Sequence, residues 1–464
     1  VQRSRKDVNP SALNGESRLG GKTLNCLAHW ILSFGIYLEF ACPPFFWRGA
    51  CILVFGIFPI VEDLMQRIGI LKNTIQPYAW GSHTAIPELL STRPDPDTPQ
   101  AELWMGAHPK APSLVAVDAE WVSLEELIER YPQEMLGRKT AVMFHNKLPF
   151  LFKVLAAAQP LSLQAHPSFT QARQGFEREN AQGIPLDDAK RNYRDANHKP
   201  ECICALTPFW ALHGFRKIPE ILALGSRLGL AVFEDLLKVL RNRPDAQGLK
   251  SFFEALMTLS PAKRILLNDQ AVKTAQTFAS EDPVYRWMGE LGKAYPGDIG
   301  IFGPILLNLI LLQPGQALYL PAAELHAYLE GTGIELMANS DNVLRGGLTP
   351  KHVDIAELLR VLNFEERTAR VLTPRTTADG ERVYECPARE FVLSTITVVS
   401  NTTYFSPTDR GIEILLCTAG AGKMTDQATG EEVALPKGRA VLFPAAVYGY
   451  VLEGEAVVYK AAVP

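Results

Sequence analysis

Two segments of this 464-residue chain repeat one another, and this repeat constrains the fold more than any other sequence feature. Residues 315–331 (GQALYLPAAELHAYLEG) align without gaps to residues 438–454 (GRAVLFPAAVYGYVLEG), and about half of the positions are identical. Each copy has an apolar run, a Pro-Ala-Ala turn and a second apolar run that ends in Leu-Glu-Gly. This is the pattern of two strands joined by a tight turn. The repeat therefore predicts two β-barrels of related topology.

One position of the repeat differs in its chemistry. His326 in the first copy corresponds to Gly449 in the second. An imidazole can bind a metal ion, whereas glycine has no side chain with which to do so. We therefore expect that only the first β-structure can hold a metal at this position.

The remaining segments are alternately β-rich and helical. Short apolar runs broken by Pro, Gly, Asn and Asp indicate strands before residue 219 and again after Gly300. Apolar residues recur at helical spacing between these regions, and a further helix is predicted from Val353 to Leu362. We predict a mainly β fold with a helical insert, divided into a first β domain of residues 65–218 and 299–364, a helical domain of 219–298 and a C-terminal β domain of 365–464.

The first 64 residues differ from the rest of the chain. Residues 27–61 are strongly apolar, but Glu39, Pro43, Pro44 and Arg48 divide them into two stretches, each shorter than a bilayer-spanning helix. We expect neither a membrane anchor nor a signal peptide, because the polar leader is long and no clear small-x-small cleavage site follows. We interpret residues 1–64 as an extension outside the fold, with Met65 as the native start.

The composition excludes several classes of function. The formal net charge is -4 and no basic stripe occurs, so we do not expect a nucleic-acid partner. Cys202 and Cys204 lie one residue apart in an apolar run, which favours buried thiols and a reducing, cytoplasmic location over a disulfide framework. No C-x-x-C pair occurs among the seven cysteines, so a metal would be held by His, carboxylate or amide groups.

Polar residues at every second position predict a polar surface inside the first β domain. Ser162, Gln164 and His166 alternate with apolar residues, so in a strand the three share one face. The nearby run of residues 148–158 is too apolar for a strand that faces water. Lys153 lies within this run and needs an anionic partner if it is buried, for which a phosphate ester would serve. Alternatively, its ammonium could extend to the surface.

Charged residues cluster in two further segments. His198, Lys199 and Glu201 precede an apolar run, where they form either a site or a solvated loop. Glu335 follows the repeat, and Asp341 and Arg345 lie just before a Gly-Gly pair. Glycines let the backbone approach a ligand closely, and the Arg fork suits a planar or anionic group.

Together these segments resemble the type I phosphomannose isomerases, from about Met65 to the C-terminus. The motifs that carry the resemblance are residues 76–82 (QPYAWGS), 102–109 (ELWMGAHP), 148–153 (LPFLFK), 163–167 (LQAHP), 197–201 (NHKPE) and 339–345 (NSDNVLR). The pattern from Gly315 through Pro321 to His326 also resembles the second cupin motif, with Ala323 where many cupins have Gly. The resemblance implies two cupin (jelly-roll) barrels, of which the first is catalytic and the second is degenerate.

The resemblance also implies one Zn²⁺ per chain. The residues that match the family's metal ligands are Gln164, His166, Glu201 and His326. Two imidazoles, one carboxylate and one amide oxygen suit Zn²⁺ and leave room for water or substrate. His108, His145 and His352 would then be ordinary or supporting histidines.

The implied reaction interconverts mannose 6-phosphate and fructose 6-phosphate through a cis-enediol, as a step in mannose and GDP-mannose metabolism. Such a reaction needs a base, a stabiliser of enediolate charge and a phosphate anchor. The resemblance assigns proton transfer or ring opening among His198, Lys199, Glu335 and Asp341, without choosing between them, and assigns charge stabilisation to Arg345. It further implies that Lys153 and Ser162 contact the substrate.

The sequence is also compatible with two other functions. A cupin with two His and one carboxylate can also bind Fe(II) for oxygen chemistry, and a cupin can bind sugars without catalysis. The amide ligand Gln164 and the nearby cations favour a phosphorylated sugar over oxygen chemistry. An acid-base set around Glu201 and Asp341 would be superfluous for binding alone.

We predict that a chain starting at Met65 folds and functions like the full chain, because every motif lies after that residue. The melting temperature and the isomerase activity of the two chains should be equal. Loss of activity in the shortened chain would show that residues 1–64 belong to the functional unit.

Overall fold

The computed structural model describes residues 67–117 and 120–464. The predicted extension of residues 1–64 lies outside the described residues and stays a prediction. Within the described ranges, no helix is long and apolar enough to cross a membrane.

Strands are the main secondary structure of the described residues. In chain order they are β1 (Gly69–Lys72), β2 (Thr74–Gln76), β3 (Glu102–Gly106), β4 (Leu114–Val117), β5 (Glu120–Ser123), β6 (Phe150–Ala157), β7 (Leu163–Ala165), β8 (Glu201–Ala205), β9 (Phe209–Phe215), β10 (Leu307–Leu312), β11 (Ala317–Leu320), β12 (His326–Ala338), β13 (Leu344–Gly347), β14 (Val371–Leu372), β15 (Arg375–Thr376), β16 (Arg382–Tyr384), β17 (Val392–Val398), β18 (Tyr404–Phe405), β19 (Glu413–Asp426), β20 (Glu432–Pro436), β21 (Ala440–Phe443) and β22 (Tyr450–Ala462).

The helices of the described residues are mostly short. They are α1 (Ala85–Leu90), α2 (Leu124–Arg130), α3 (Pro132–Leu136), α4 (Arg138–Met143), α5 (Phe169–Ala181), α6 (Ile218–Arg227), α7 (Ala231–Asn242), α8 (Ala246–Met257), α9 (Pro261–Phe278), α10 (Pro283–Ala294), a 3₁₀ helix (Ile299–Phe302), α11 (Gly303–Leu306) and α12 (Ile355–Val361).

The strands form two antiparallel sheets of eleven strands each. The first sheet contains β2, β3 and β6 to β14, and the second contains β1, β4, β5 and β15 to β22. The mainly β fold predicted from the sequence is confirmed. The two copies of the repeat lie one in each sheet, as β11 with β12 and as β21 with β22.

Both copies of the repeat bend at their final glycine. Gly331 has φ +129° and Gly454 has φ +113°. A Cβ at either position would lie 2.7 Å from a backbone carbonyl oxygen, that of Pro208 or that of Ala421. Only glycine accommodates both the backbone conformation and the close approach. At Gly331 the partners of β12 change from β9 to β6 and β8, so this bend folds the first sheet back on itself.

Strand alternation separates two cores on opposite sides of the first sheet. In β6, Phe150, Phe152 and Val154 pack in a core that also includes residues of the second sheet, such as Leu393 and Ile414. The residues between them face the inside of the folded first sheet, where Leu155 packs with Phe209 and Tyr328. Lys153 belongs to this inner set because it alternates with Phe152 and Val154.

The helical insert covers a different face of the first sheet. Helices α6 to α10 occupy residues 218–294, where the helical spacing of the sequence predicts them. Their apolar residues, among them Phe233 and Phe252, pack in one core with Leu212 of β9 and with Ala327 and Leu329 of β12. His326 and Tyr328 therefore point the opposite way, into the folded sheet.

The second sheet draws on both ends of the described chain. Strand β1 pairs with β21 through Gly69 and Leu442, and it also pairs with β4. Three strands from residues 69–123 thus extend the C-terminal sheet, although we assigned that segment to the first β domain. The predicted domain boundaries stay a prediction, but strand pairing crosses them.

A buried ion-pair network lies in the second sheet. Lys460 Nζ is 2.8 Å from Glu381 Oε2 and 3.3 Å from Glu413 Oε1, and Tyr404 donates a hydrogen bond to Glu381. Burial alone lowers the pKa of Lys460, but Glu413 and Glu381 raise it above its usual range. The ammonium therefore stays charged between two carboxylates, and Arg410 Nη1 supplies a second positive charge 3.9 Å from Glu413 Oε2.

We predict that Lys460→Ala lowers the free energy of unfolding by about 3–5 kcal/mol, because two buried carboxylates lose their cation. Lys423→Ala is the matched control, since Lys423 also bridges to a carboxylate, that of Glu432, but is exposed. Equilibrium urea unfolding of both variants measures the difference. Equal stability of the two variants would contradict the assigned role of Lys460.

Candidate active site

Strand register brings three of the predicted site residues to one face. Gln164 on β7 lies opposite His326 on β12 and opposite Arg345 on β13. Directly opposed residues of antiparallel strands project to the same side. Because His326 points into the folded first sheet, Gln164 and Arg345 line that interior as well.

Three predicted ligands form a compact buried group. Possible metal-binding atoms of His166, Glu201 and His326 all lie within 4.8 Å of one another. The two Nε2 atoms are 3.2 Å and 3.4 Å from the two oxygens of Glu201. All three residues are at most 1% exposed, so bulk water does not solvate them.

Backbone carbonyls orient both imidazoles. The Nδ1 atom of His166 lies 2.7 Å from the carbonyl oxygen of Asn342, and Nδ1 of His326 lies 3.0 Å from that of Glu324. Each carbonyl can accept a hydrogen bond from Nδ1–H, which leaves Nε2 with its lone pair. Burial lowers the pKa of His166 to about 4, so this ring is neutral near pH 7.

The orphaned atoms of this group fit a divalent cation. Nε2 of His166, Nε2 of His326 and Oε2 of Glu201 are buried without hydrogen-bond partners among the described residues. Buried polar atoms without partners are costly. Two nitrogen lone pairs and a carboxylate, with the amide of Gln164 on the same face, form a donor set that suits Zn²⁺.

Lys199 fixes the charge of the Glu201 carboxylate. Its Nζ lies 3.0 Å from Glu201 Oε1. Burial raises the pKa of Glu201, but Lys199 and His166 outweigh burial and hold it well below its usual range. The carboxylate is therefore ionised at neutral pH.

A second buried cluster surrounds Lys153. Its Nζ is 2.9 Å from Glu335 Oε2, directly across the strand pair, and 3.6 Å from Glu102 Oε2. The ammonium also lies 5.5 Å from the ring centre of Trp104. Burial lowers the pKa of Lys153, but Glu102 and Glu335 raise it above its usual range. The chain itself thus supplies the anion that a buried Lys153 requires, and a substrate contact stays a prediction.

Asp341 lies in a salt-bridged position. Lys110 Nζ is 2.7 Å and His108 Nε2 is 3.6 Å from its carboxylate. Burial raises the pKa of Asp341, but hydrogen bonds from His108 and Lys110 hold it well below its usual range. We expected His108 to be an ordinary or supporting histidine and did not identify Lys110, whose partner lies more than two hundred residues away in the sequence.

Three cations near one another are Arg194, Arg345 and Lys351. Burial lowers the pKa of Arg345, and Arg194 lowers it further. Burial, Arg345 and Arg194 lower the pKa of Lys351 in the same way. Within residues 67–117 and 120–464, none of these three side chains forms an ion pair with a carboxylate. No sequence motif pointed to Arg194 or Lys351.

The remaining predicted residues lie at the edge of this region. His198 Nε2 is 2.6 Å from Glu390 Oε1, a residue of the C-terminal segment. Ser162 lies just before β7 and is half-buried. Its predicted substrate contact stays a prediction.

Comparisons with known proteins agree with this geometry. A family model described as "phosphomannose isomerase type I, catalytic domain" matches residues 68–218. The chain is 43% identical over 331 residues to the mannose-6-phosphate isomerase of Salmonella typhimurium, which covers 70% of this chain and 82% of the relative. This chain belongs to the type I phosphomannose isomerase family. The resemblance inferred from the sequence motifs is confirmed.

More distant relatives and solved structures extend the match. The human mannose-6-phosphate isomerase is 33% identical over 413 residues, which cover 81% of this chain and 93% of the relative. A crystal structure of a mutant phosphomannose isomerase from Salmonella typhimurium has a TM-score of 0.79 at 36% identity and covers 85% of this chain and 99% of its own. A zinc-bound mannose 6-phosphate isomerase has a TM-score of 0.78 at 36% identity with the same coverage.

We predict that His326→Ala removes bound zinc, because the substitution deletes one donor of the buried group. Gly449→Ala, at the equivalent position of the second copy, should leave zinc content unchanged. The three atoms nearest to a Cβ there belong to the side chains of Gln427 and Ser406, at 3.2–3.3 Å. Elemental analysis of the purified variants decides the matter. Normal zinc content in His326→Ala would remove this residue from the ligand set.

Proposed function

We propose that this chain is a zinc-dependent aldose-ketose isomerase that interconverts D-mannose 6-phosphate and D-fructose 6-phosphate. The observation that carries the proposal is the buried group of His166, Glu201 and His326 in a member of the phosphomannose isomerase family. Relatives at 33–43% identity are mannose-6-phosphate isomerases, and a related structure is zinc-bound.

The metal ligands in this proposal are His166, Glu201, His326 and the amide oxygen of Gln164, which hold one Zn²⁺ per chain. The strand register supports the inclusion of Gln164, because it is the direct neighbour of His326. When bound, Zn²⁺ supplies a Lewis acid that can polarise a sugar oxygen.

We assign proton transfer to His198 and Glu335. A proton carrier must be able to change its charge near neutral pH. The pKa of Asp341 lies well below its usual range, so its carboxylate is a weak base, and the Lys199 ammonium is bound to Glu201. By contrast, burial raises the pKa of Glu335, although Lys153 opposes the change.

We assign the binding of the substrate's negative charges to Arg194, Lys351 and Arg345, which form no ion pair with a carboxylate of the described residues. Arg194 and Lys351 bind the phosphate, because no carboxylate of residues 67–117 or 120–464 already compensates their charges. Arg345 acts on the sugar, since it lies across the strand pair from Gln164 and so close to the metal ligands. Its guanidinium donors stabilise the negative charge that develops on the enediolate.

We also propose that both sheets are cupin barrels, of which only the first is catalytic. The shared bend at Gly331 and Gly454 supports related topologies, and the absence of an imidazole at Gly449 supports a degenerate second barrel. A cytoplasmic location is supported by the free thiols of Cys202 and Cys204, which are both buried.

The direct test is a coupled assay for fructose 6-phosphate formed from mannose 6-phosphate by the zinc-loaded chain. Turnover that is lost on chelation and restored by Zn²⁺ is the expected result. A zinc-loaded, folded chain without turnover would overturn the proposal and leave a sugar-binding protein.

We predict that Arg345→Lys lowers kcat by on the order of a hundredfold, the loss typical of one preorganised donor at a developing charge, and changes KM little. Lys351→Ala should instead raise KM for the phosphorylated sugar and leave kcat near its original value. Steady-state kinetics of both variants separate the two roles. An Arg345→Lys variant that changes only KM would make Arg345 a phosphate anchor.

A further inference from the structure

The C-terminal half of the chain contributes a carboxylate to the predicted proton-transfer residue. His198 lies three residues before Glu201 in the first sheet, whereas Glu390 lies just before β17 of the second sheet. The two side chains meet at 2.6 Å, between Nε2 of His198 and Oε1 of Glu390, across a separation of 192 residues. This contact joins the two halves of the molecule beside the metal-binding group.

The Glu390 carboxylate is held in place and is ionised. Its second oxygen, Oε2, accepts a hydrogen bond from the backbone N–H of Arg389 at 3.1 Å. Burial raises the pKa of Glu390, but the contact with His198 and backbone hydrogen bonds outweigh burial and bring it below its usual range. An ionised carboxylate can only accept hydrogen bonds.

The carboxylate therefore selects the tautomer of the neutral ring. Because Glu390 accepts, Nε2 of His198 carries the hydrogen and Nδ1 carries the lone pair. Within the described part of the chain, Nδ1 of His198 has no hydrogen-bond partner. Phe169 packs edge-on against the ring at 5.8 Å and 82°, which restricts reorientation of the imidazole.

The backbone next to His198 is fixed relative to the predicted site. The carbonyl oxygen of Asn197 accepts hydrogen bonds from Asn342 Nδ2 at 2.8 Å and from Ser340 Oγ at 3.2 Å. On the other side, Lys199 binds the Glu201 carboxylate. The imidazole is thus anchored between the segment that carries Asp341 and the metal-binding group.

We propose that Glu390 is a positioning residue that holds His198 as the Nε2–H tautomer, so that Nδ1 accepts and returns the proton of the substrate. This inference rests on the proposed isomerase function. In ring opening, the proton of the C1 hydroxyl passes to Nδ1, the C1–O5 bond breaks as the C1 carbonyl forms, and the proton returns to O5. Glu390 stabilises the imidazolium that exists between these transfers and does not itself take the proton.

Replacement of the carboxylate by an amide tests the inference in the zinc-loaded full chain. In Glu390→Gln the amide can also donate a hydrogen bond, so the tautomer is no longer fixed. We expect kcat to fall by roughly tenfold to a hundredfold, part of what general acid-base catalysis contributes, with KM within about twofold and zinc content unchanged. Glu390→Asp, which keeps the charge, should retain more kcat than Glu390→Gln.

Glu385→Gln is the matched control. Glu385 belongs to the same C-terminal segment, but it is exposed and pairs with the exposed Arg375. This variant should keep the kcat of the parent chain. An equal loss of kcat in both variants would show that the effect is general to the segment and would overturn the inference.

A spectroscopic measurement separates this inference from the proposed function. In a chain labelled with [¹⁵N]histidine, the ring signals of His198 are those that disappear in His198→Asn. The neutral ring should show the Nε2–H tautomer in the parent chain and a tautomer mixture in Glu390→Gln. An unchanged tautomer would overturn the positioning role even if kcat falls. A parent chain that shows the expected tautomers but no isomerase turnover would overturn the proposed function and not the contact.

Discussion

The buried carboxylate of Glu201 is the constraint on which the site depends. It begins β8, where strand alternation turns Cys202 and Cys204 toward the second sheet and Glu201 into the folded first sheet. An isolated ionised carboxylate in such a position would be very costly. The ammonium of Lys199 offsets part of this cost. The unpartnered Nε2 atoms of His166 and His326 can bind a metal cation, which would offset the rest. Ligand binding and fold stability are therefore linked at one residue.

Each of the two sheets contains buried carboxylates, and the two sheets compensate for this negative charge in different ways. In the first sheet, the imidazole of His326 lies beside the buried carboxylate of Glu201, where a metal ion can bind both groups. In the second, Gly449 provides no ligand, and the ammonium of Lys460 lies between Glu381 and Glu413. The Lys460 ammonium is part of the chain, so these carboxylates need no metal ion to balance their charge. Unlike a metal ion, an ammonium has no coordination position at which a substrate could bind. The second sheet thus balances its buried carboxylates with a cation of the chain, and Glu390, just before β17 of this sheet, contacts His198.

Local patterns predicted the elements well, because alternation and helical spacing are local properties. They predicted the helical insert, a strand at Gln164, and the two strands joined by a turn in each copy of the repeat. They did not predict the bend at Gly331 and Gly454. Local patterns could not predict which residues form ion pairs, or which strands pair, when the two partners are distant in the sequence. The burial argument for Lys153 required an anion, but Glu335 lies 182 residues away and becomes its partner only through pairing of β6 with β12. Similarly, β1 is recognisable as a strand, yet nothing local indicates that it joins the C-terminal sheet.

Among the described residues, the distribution of cations with and without a carboxylate partner supports the proposed placement of the substrate. Lys153 is 5% exposed and already faces two carboxylates, so a phosphate beside it would meet two negative charges and would have to lose its hydration in a buried region. Arg194 and Lys351 have no carboxylate partner within the described ranges. Arg194 is half-buried and Lys351 is exposed, so a phosphate could reach them while still partly hydrated. Arg345 lies near both of these cations, because Arg194 lowers its pKa and Arg345 in turn lowers that of Lys351, and it also lies across the strand pair from Gln164. Under the proposed function, this strand register favours a contact of Arg345 with the sugar over a contact with the phosphate.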